Sequence, residues 1–215
     1  MAVKKTTSKK TVTEVPQKHL PGSELEEISR NVHFIHHRFR STSDSFWVLL
    51  SSDRHHDNPH CNQELELEHL ELAKKRNAVI IDYGDLFCAM QGKFDRRANK
   101  DDIRPEHQHG NYLDKLVSTA TDFYAPYAHN FAVMGPGNHE TAMLKHHETN
   151  LTERLIERLN MSTGSEIKMG GYSGWVKFKF TYGKEQTGSN ALVGGGQKTK
   201  LMNKTKKNDK ITIFK

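Results

Sequence analysis

The chain has 215 residues, 34% of them hydrophobic and 27% charged, with a formal net charge of +6 and a mean hydropathy of −0.78. That length suits one domain with a real core, and no apolar run approaches the roughly 18 residues of a bilayer crossing, so neither a span nor a membrane partner is expected. Met1 to Lys10 is rich in Lys, Thr and Ser and reads as no secretory signal, while two cysteines, Cys61 and Cys88, build no disulfide framework and suit a reducing cytoplasm.

In chain order, residues 1–23 read as a flexible basic leader, with five Lys against one Glu in the first twenty positions. Glu24 to Ile28 suggests a short helical turn, and Val32 to Phe39 an edge strand. Phe46 to Leu50 is a continuous apolar run of strand length, the pattern of a strand buried on both faces. A helix is predicted from about Asn62 to Arg76, with Leu65, Leu67, Leu70, Leu72 and Ala73 as core and not a cofactor box. Ala78 to Ile81 is a second buried strand. A polar connection from Leu86 to Gln108 leads to a helix over about Tyr112 to Tyr124, and Phe131 to Met134 is a third apolar strand.

Another helix starts near Asn150, where Asn150 and Glu153 have capping-box spacing. Trp175 to Tyr182 alternates apolar with polar residues, as an antiparallel strand with one wet face does. Strand–helix alternation through residue 134 implies a mostly parallel α/β core. From about residue 187 the chain turns to Lys, Asn and Thr. Residues 198–215 hold seven Lys and one Asp, so the stretch 187–215 reads as a basic tail open to disorder. The domain proper is thus 24–186. Between the flanks it is slightly acidic, and nucleic-acid binding would fall to the flanks alone.

Histidine is the more telling count: all 14 lie between His19 and His147. Each of the three apolar strands ends in a polar cluster. Asp53 and His55 follow the first, Asp85 the second, and Asn138 and His139 the third. In open α/β sheets ligands bind beyond the carboxyl ends of the strands. Gly84, Gly135 and Gly137 allow sharp turns there, and carboxylate, imidazole and amide oxygen together suit Mn, Fe, Zn or Ni. Asp57 and His60 stand next in line to orient ligands, and Arg104-Pro105-Glu106-His107 offers substrate contacts.

Asp53-Arg54-His55, Gly84-Asp85 and Gly137-Asn138-His139-Glu140, in this order and on strand ends, resemble the calcineurin-like metallophosphoesterases, with surrounding wording similar to phage-type and bacterial members. The motif core covers residues 46–140. The resemblance implies an α/β/β/α sandwich and hydrolysis of a phosphomonoester or phosphodiester, including nucleotide or nucleic-acid substrates. It implies two divalent metal ions and a water activated between them. Asp53 and His55 would hold the first ion, Asp85 would bridge both, and Asn138 would bind the second. His139 would act on the phosphate as general acid or transition-state stabiliser.

The family completes its site with three later histidines, one alone and two in Gly-His-x-His, and no His follows His147 here. The chain therefore reads as C-terminally truncated or altered, with a weak second metal site, one ion at most, and low or no turnover. His56 and His147 lie nearest in sequence to stand in for a missing ligand. An incomplete second sheet would leave strand edges exposed, Val176 to Tyr182 among them.

Overall fold

The computed structural model describes residues 19–89, 103–108, 110–183, 185–194, 200–202 and 212–214. The strongest apolar runs become the most buried strands. These are β3 (Trp47–Ser51), β4 (Val79–Asp82) and β5 (Phe131–Met134), with every residue of β4 and β5 buried. They pair in parallel, and β6 (Lys168–Met169) and β10 (Thr212–Phe214) extend them into a five-stranded parallel sheet of order β10-β3-β4-β5-β6.

A second five-stranded sheet is mixed, in the order β1-β2-β7-β8-β9. It is built from β1 (Ser23–Ser29), β2 (Val32–Phe39), β7 (Ser173–Tyr182), β8 (Glu185–Gly194) and β9 (Lys200–Met202).

Side chains alternate across a strand, and the parallel sheet uses both of its faces. Leu49, Ile80, Phe131 and Met134 pack against the helices α1 (Gln63–Lys75), α2 (Tyr112–Tyr124), α3 (Asn138–His147) and α4 (Leu151–Thr163). Val48, Leu50, Val79, Ile81 and Val133 point the other way, against Ile35, Val176, Phe178 and Phe180 of the mixed sheet. The architecture is thus helices, parallel sheet and mixed sheet in three layers, an α/β fold. The second helical layer of the expected sandwich is not among the described residues. Nor is any helix there long and apolar enough to cross a membrane.

Local readings of element bounds and caps hold, but Leu65 and Leu67, read as core of α1, are exposed at 45% and 43%. Asn62 caps α1 by accepting the Leu65 N–H at 3.1 Å, and Asn150 caps α4 by accepting the Glu153 N–H at 3.2 Å. They fail where distant pairing decides. Glu24 to Ile28 is not a helical turn but part of β1, because a two-residue turn sets it antiparallel to β2. Nor is β2 an edge strand: it lies between β1 and β7 and pairs with β7 in parallel. β7 is antiparallel only toward β8, so both its edges are covered. The boundary at residue 186 falls inside β8, and β9 and β10 also come from the basic tail.

The histidine-rich core makes stability depend on acidity. Burial holds His19, His33, His37 and His107 below the ordinary imidazole range, His19 at about 4. A depressed imidazole favours folding fully above the unfolded value of 6.5 and loses that contribution as pH falls through the folded value. His33→Leu removes one such group. Its unfolding free energy is expected to decline less steeply than the wild type's below pH 6.5, as read by chemical denaturation at a series of pH values. Parallel profiles would contradict this.

Candidate metal centre

The three parallel strands deliver their following loops to one edge of the sheet. Backbone hydrogen bonds then tie those loops together. The Asp53 N–H donates to Gly84 O at 2.9 Å, His55 N–H to Asp85 O at 3.0 Å and His56 N–H to Leu86 O at 2.7 Å. Gly84 and Gly137 are in contact through their backbones. A Cβ on Gly84, whose φ is +99°, would lie 2.1 Å from Gly137 N.

Three of the candidate residues carry unusual backbones. Asp53, His55 and Asp85 have φ of 56°, 46° and 53°. A non-glycine residue in this left-handed region costs on the order of 1 kcal/mol or more and persists where the surroundings over-determine it. Here the surroundings are explicit. The Glu140 carboxylate is buried and accepts the N–H groups of Asp85 at 3.0 Å, Phe87 at 2.9 Å and Gly137 at 2.9 Å. Burial drives its proton affinity up to about 7, against the pull of those N–H donors. Asp85 in turn accepts the His139 N–H through Oδ1 at 2.9 Å, which anchors the first turn of α3.

On the other side Arg54 reaches inward between Asp53 and His55. Its Nε donates to Asp82 Oδ2 at 3.0 Å and its Nη1 to Glu66 Oε1 at 3.2 Å. Glu66 also meets His56 Nδ1 at 2.9 Å and accepts the Tyr124 hydroxyl. Burial alone would raise the Glu66 carboxyl, but His56 and Arg54 hold it below the usual range. This buried network fixes the backbone from which Asp53 and His55 project.

The side chains gather unevenly. His55 and His139 stand edge to face, with ring centroids 4.8 Å apart. His55 Nδ1 is buried with no hydrogen-bond partner among the described residues, an atom that fits a ligand role. Cys88 joins them, so that one donor atom from each of His55, Cys88 and His139 lies within 4.8 Å of the others. Asp53 and Asp85 are not members of that cluster. Asp53 and Asn138 are exposed, while Asp85 is buried behind them. The loops that carry the predicted ligands Asp53, His55, Asp85 and Asn138 thus meet at one rim, where His55 stands beside His139, the residue predicted to act on the phosphate. Cys88 is the residue that sequence reading left out of the site; the signal that could have found it is its place three positions after Asp85, on the same loop.

Of the remaining candidates, Asp57 clamps the Cys88 and Ala89 N–H groups at 2.5 and 2.9 Å. Arg104 Nη2 donates to Asn58 O at 2.9 Å, bringing that motif to the same loop. His56 is committed to Glu66, and His147 lies at the far end of α3, so neither completes the cluster. Comparison with protein-family models, curated proteins and solved structures finds no match to this chain.

Proposed function

We propose that the chain is a metal-dependent phosphoesterase of the calcineurin-like type with a partial site, acting on phosphomonoesters or phosphodiesters, nucleotides and nucleic acids among them. The observation that carries this reading is the left-handed backbone of Asp53, His55 and Asp85 at the ends of adjacent parallel strands. Left-handed backbone at non-glycine residues clusters at functional sites, and here it recurs at three acid and imidazole positions on one rim.

In this reading Asp53, His55, Asp85 and Asn138 hold divalent metal, of the Mn, Fe, Zn or Ni kind. A divalent ion there supplies Lewis acidity toward a phosphoryl oxygen and a water. Asp85, fixed by Glu140 through its N–H and by His139 through Oδ1, keeps its second oxygen for the metal side. His139 offers its ring to the leaving group: Nδ1 faces Cys88 O at 2.8 Å, and Nε2 is left for proton transfer. No membrane partner is invoked, and the cytoplasm is the proposed location.

The test is hydrolysis of p-nitrophenyl phosphate and bis-p-nitrophenyl phosphate by the full chain with Mn, Fe, Zn or Ni supplied in turn. Asp85→Asn is expected to lower the rate by at least about 100-fold, the scale on which a misplaced reacting geometry costs. No hydrolysis above the metal-only background, or an Asp85→Asn variant as active as wild type, overturns the reading. Binding of nucleic acid that weakens steeply with salt and is indifferent to Asp85→Asn would assign the function to the basic flanks instead.

A further inference from the structure

We infer that Cys88 is a metal ligand, and that His55, Cys88 and His139 together form a three-donor site for a zinc-like ion. The inference rests on this rim being a metal site and not on its hydrolysing an ester. It changes the donor set from oxygen-rich to one thiolate and two imidazoles, and it makes His139 a ligand in place of the proton donor proposed above. That set suits Zn(II) or Co(II) far better than Mn.

Three arrangements support it. First, the donors are already gathered within 4.8 Å of one another. Around a tetrahedral ion, nitrogen and sulfur ligands sit roughly 3.3–3.7 Å apart by the usual bond lengths, so about 1 Å of closure suffices. Second, the histidines are set as ligands. The Cys88 carbonyl can only accept, so His139 Nδ1 carries the proton in that 2.8 Å hydrogen bond and Nε2 presents its lone pair. His55 Nδ1 is buried with no partner among the described residues, and an ion would satisfy it.

Third, the cysteine is held from behind. The Asp57 carboxylate takes the N–H groups of Cys88 and Ala89, and the Tyr112 hydroxyl steadies Asp57 Oδ2 at 3.3 Å. The Asn58 amide donates to Cys88 Sγ at 3.5 Å. Asn58 O is in turn bound by Arg104. Metal binding is then a simple exchange: the S–H bond breaks, the proton goes to solvent, and the sulfur–metal bond forms. The fourth position stays open to a water or a substrate oxygen.

The test is titration of the metal-free full chain with Co(II), followed in the near-ultraviolet and the visible. One equivalent is expected to give a thiolate-to-cobalt charge-transfer band with the strong visible absorption of a four-coordinate ion, and Zn(II) is expected to displace both. Cys88→Ser should abolish the near-ultraviolet band. It should also weaken binding by at least about 100-fold, since even outer positioning residues cost 10–100-fold. Cys61→Ser should leave both unchanged and serves as the control for folding and for the second thiol.

A wild-type complex without the band, or a band that survives Cys88→Ser, overturns the inference. Asp85→Asn separates it from hydrolysis. A band retained there while ester cleavage is lost supports the thiolate site. Cobalt binding that vanishes with Asp85→Asn, from a wild type that never showed the band, leaves the oxygen-donor site standing and rejects this one.

Discussion

Arg54→Met is expected to lower the unfolding free energy by about 3–5 kcal/mol, the cost of removing one partner from a buried ion network. The Arg54 side chain is 7% exposed and faces two carboxylates that are more buried still, Glu66 at 5% and Asp82 at 1%. Its Nη2 also donates to Ser51 Oγ at 2.8 Å, and Ser51 donates to Asp82 Oδ2 at 2.8 Å, so the guanidinium closes the polar ring at the end of β3. Methionine keeps the packing of the stem and removes every donor. Against a typical domain stability of about 5–15 kcal/mol, that loss is about a fifth or more.

The effect carries its own pH dependence. Burial already raises the Asp82 carboxyl, with Arg54 pulling it back; without the guanidinium it rises further. A raised carboxyl is stabilised by protonation, so the deficit of Arg54→Met should shrink as the solution is made acidic. Denaturant unfolding at several pH values measures both the size and the trend. A loss below about 1 kcal/mol, the range of an exposed pair, would show that the network contributes little.

How much of this was legible beforehand differs by kind of interaction. The strands β3, β4 and β5 and the helices α1, α2 and α4 are written in local periodicity and caps, and they fall within a residue or two of expectation. The site residues were legible because each closes an apolar run: a chain leaving a buried parallel strand must turn, and these turns hold Asp, His and Asn. What local pattern does not encode is pairing across the chain. β2 finds β7 some 140 residues later, which turns an apparent edge strand into a central one. Cys88 escaped for a similar reason. A cysteine flanked by Phe87 and Ala89 has the composition of core, and its neighbours His55 and His139 come from another loop and from the first turn of α3. The count of histidines pointed to a deficit in ligands, and only geometry shows a sulfur where one could be made up.

Gly137→Ala should damage the site by steric crowding alone. Gly137 has φ of −93°, a backbone that alanine adopts readily, so the effect is steric and not conformational. The added Cβ would fall 2.2 Å from Asp85 Oδ1 and 2.4 Å from Asp85 N, well inside van der Waals contact, and the obstacle is held on every side. Asp85 N–H is tied to Glu140, Asp85 O to the His55 N–H, and Asp85 Oδ1 to the His139 N–H. Relief therefore moves the second loop relative to the first and third, and with them the spacing of His55, Asp85 and His139. Overpacking of this kind costs typically about 1–3 kcal/mol. A shift near 1 Å in a reacting site costs about 100-fold in rate.

The expectation is a folded variant with a lower melting temperature and hydrolysis reduced by about 100-fold. Gly110→Ala, with nothing within 4 Å of the new methyl group, should match wild type in both. Activity of Gly137→Ala within about twofold of wild type would mean that the loops have room the structure does not show. The strained residues at the strand ends would then not be held by one another. If the loss is seen, the two glycines act as a spacer. Their missing side chains let the loops after β4 and β5 touch, and that contact sets the distance at which the carboxylate of one loop meets the imidazole of the other.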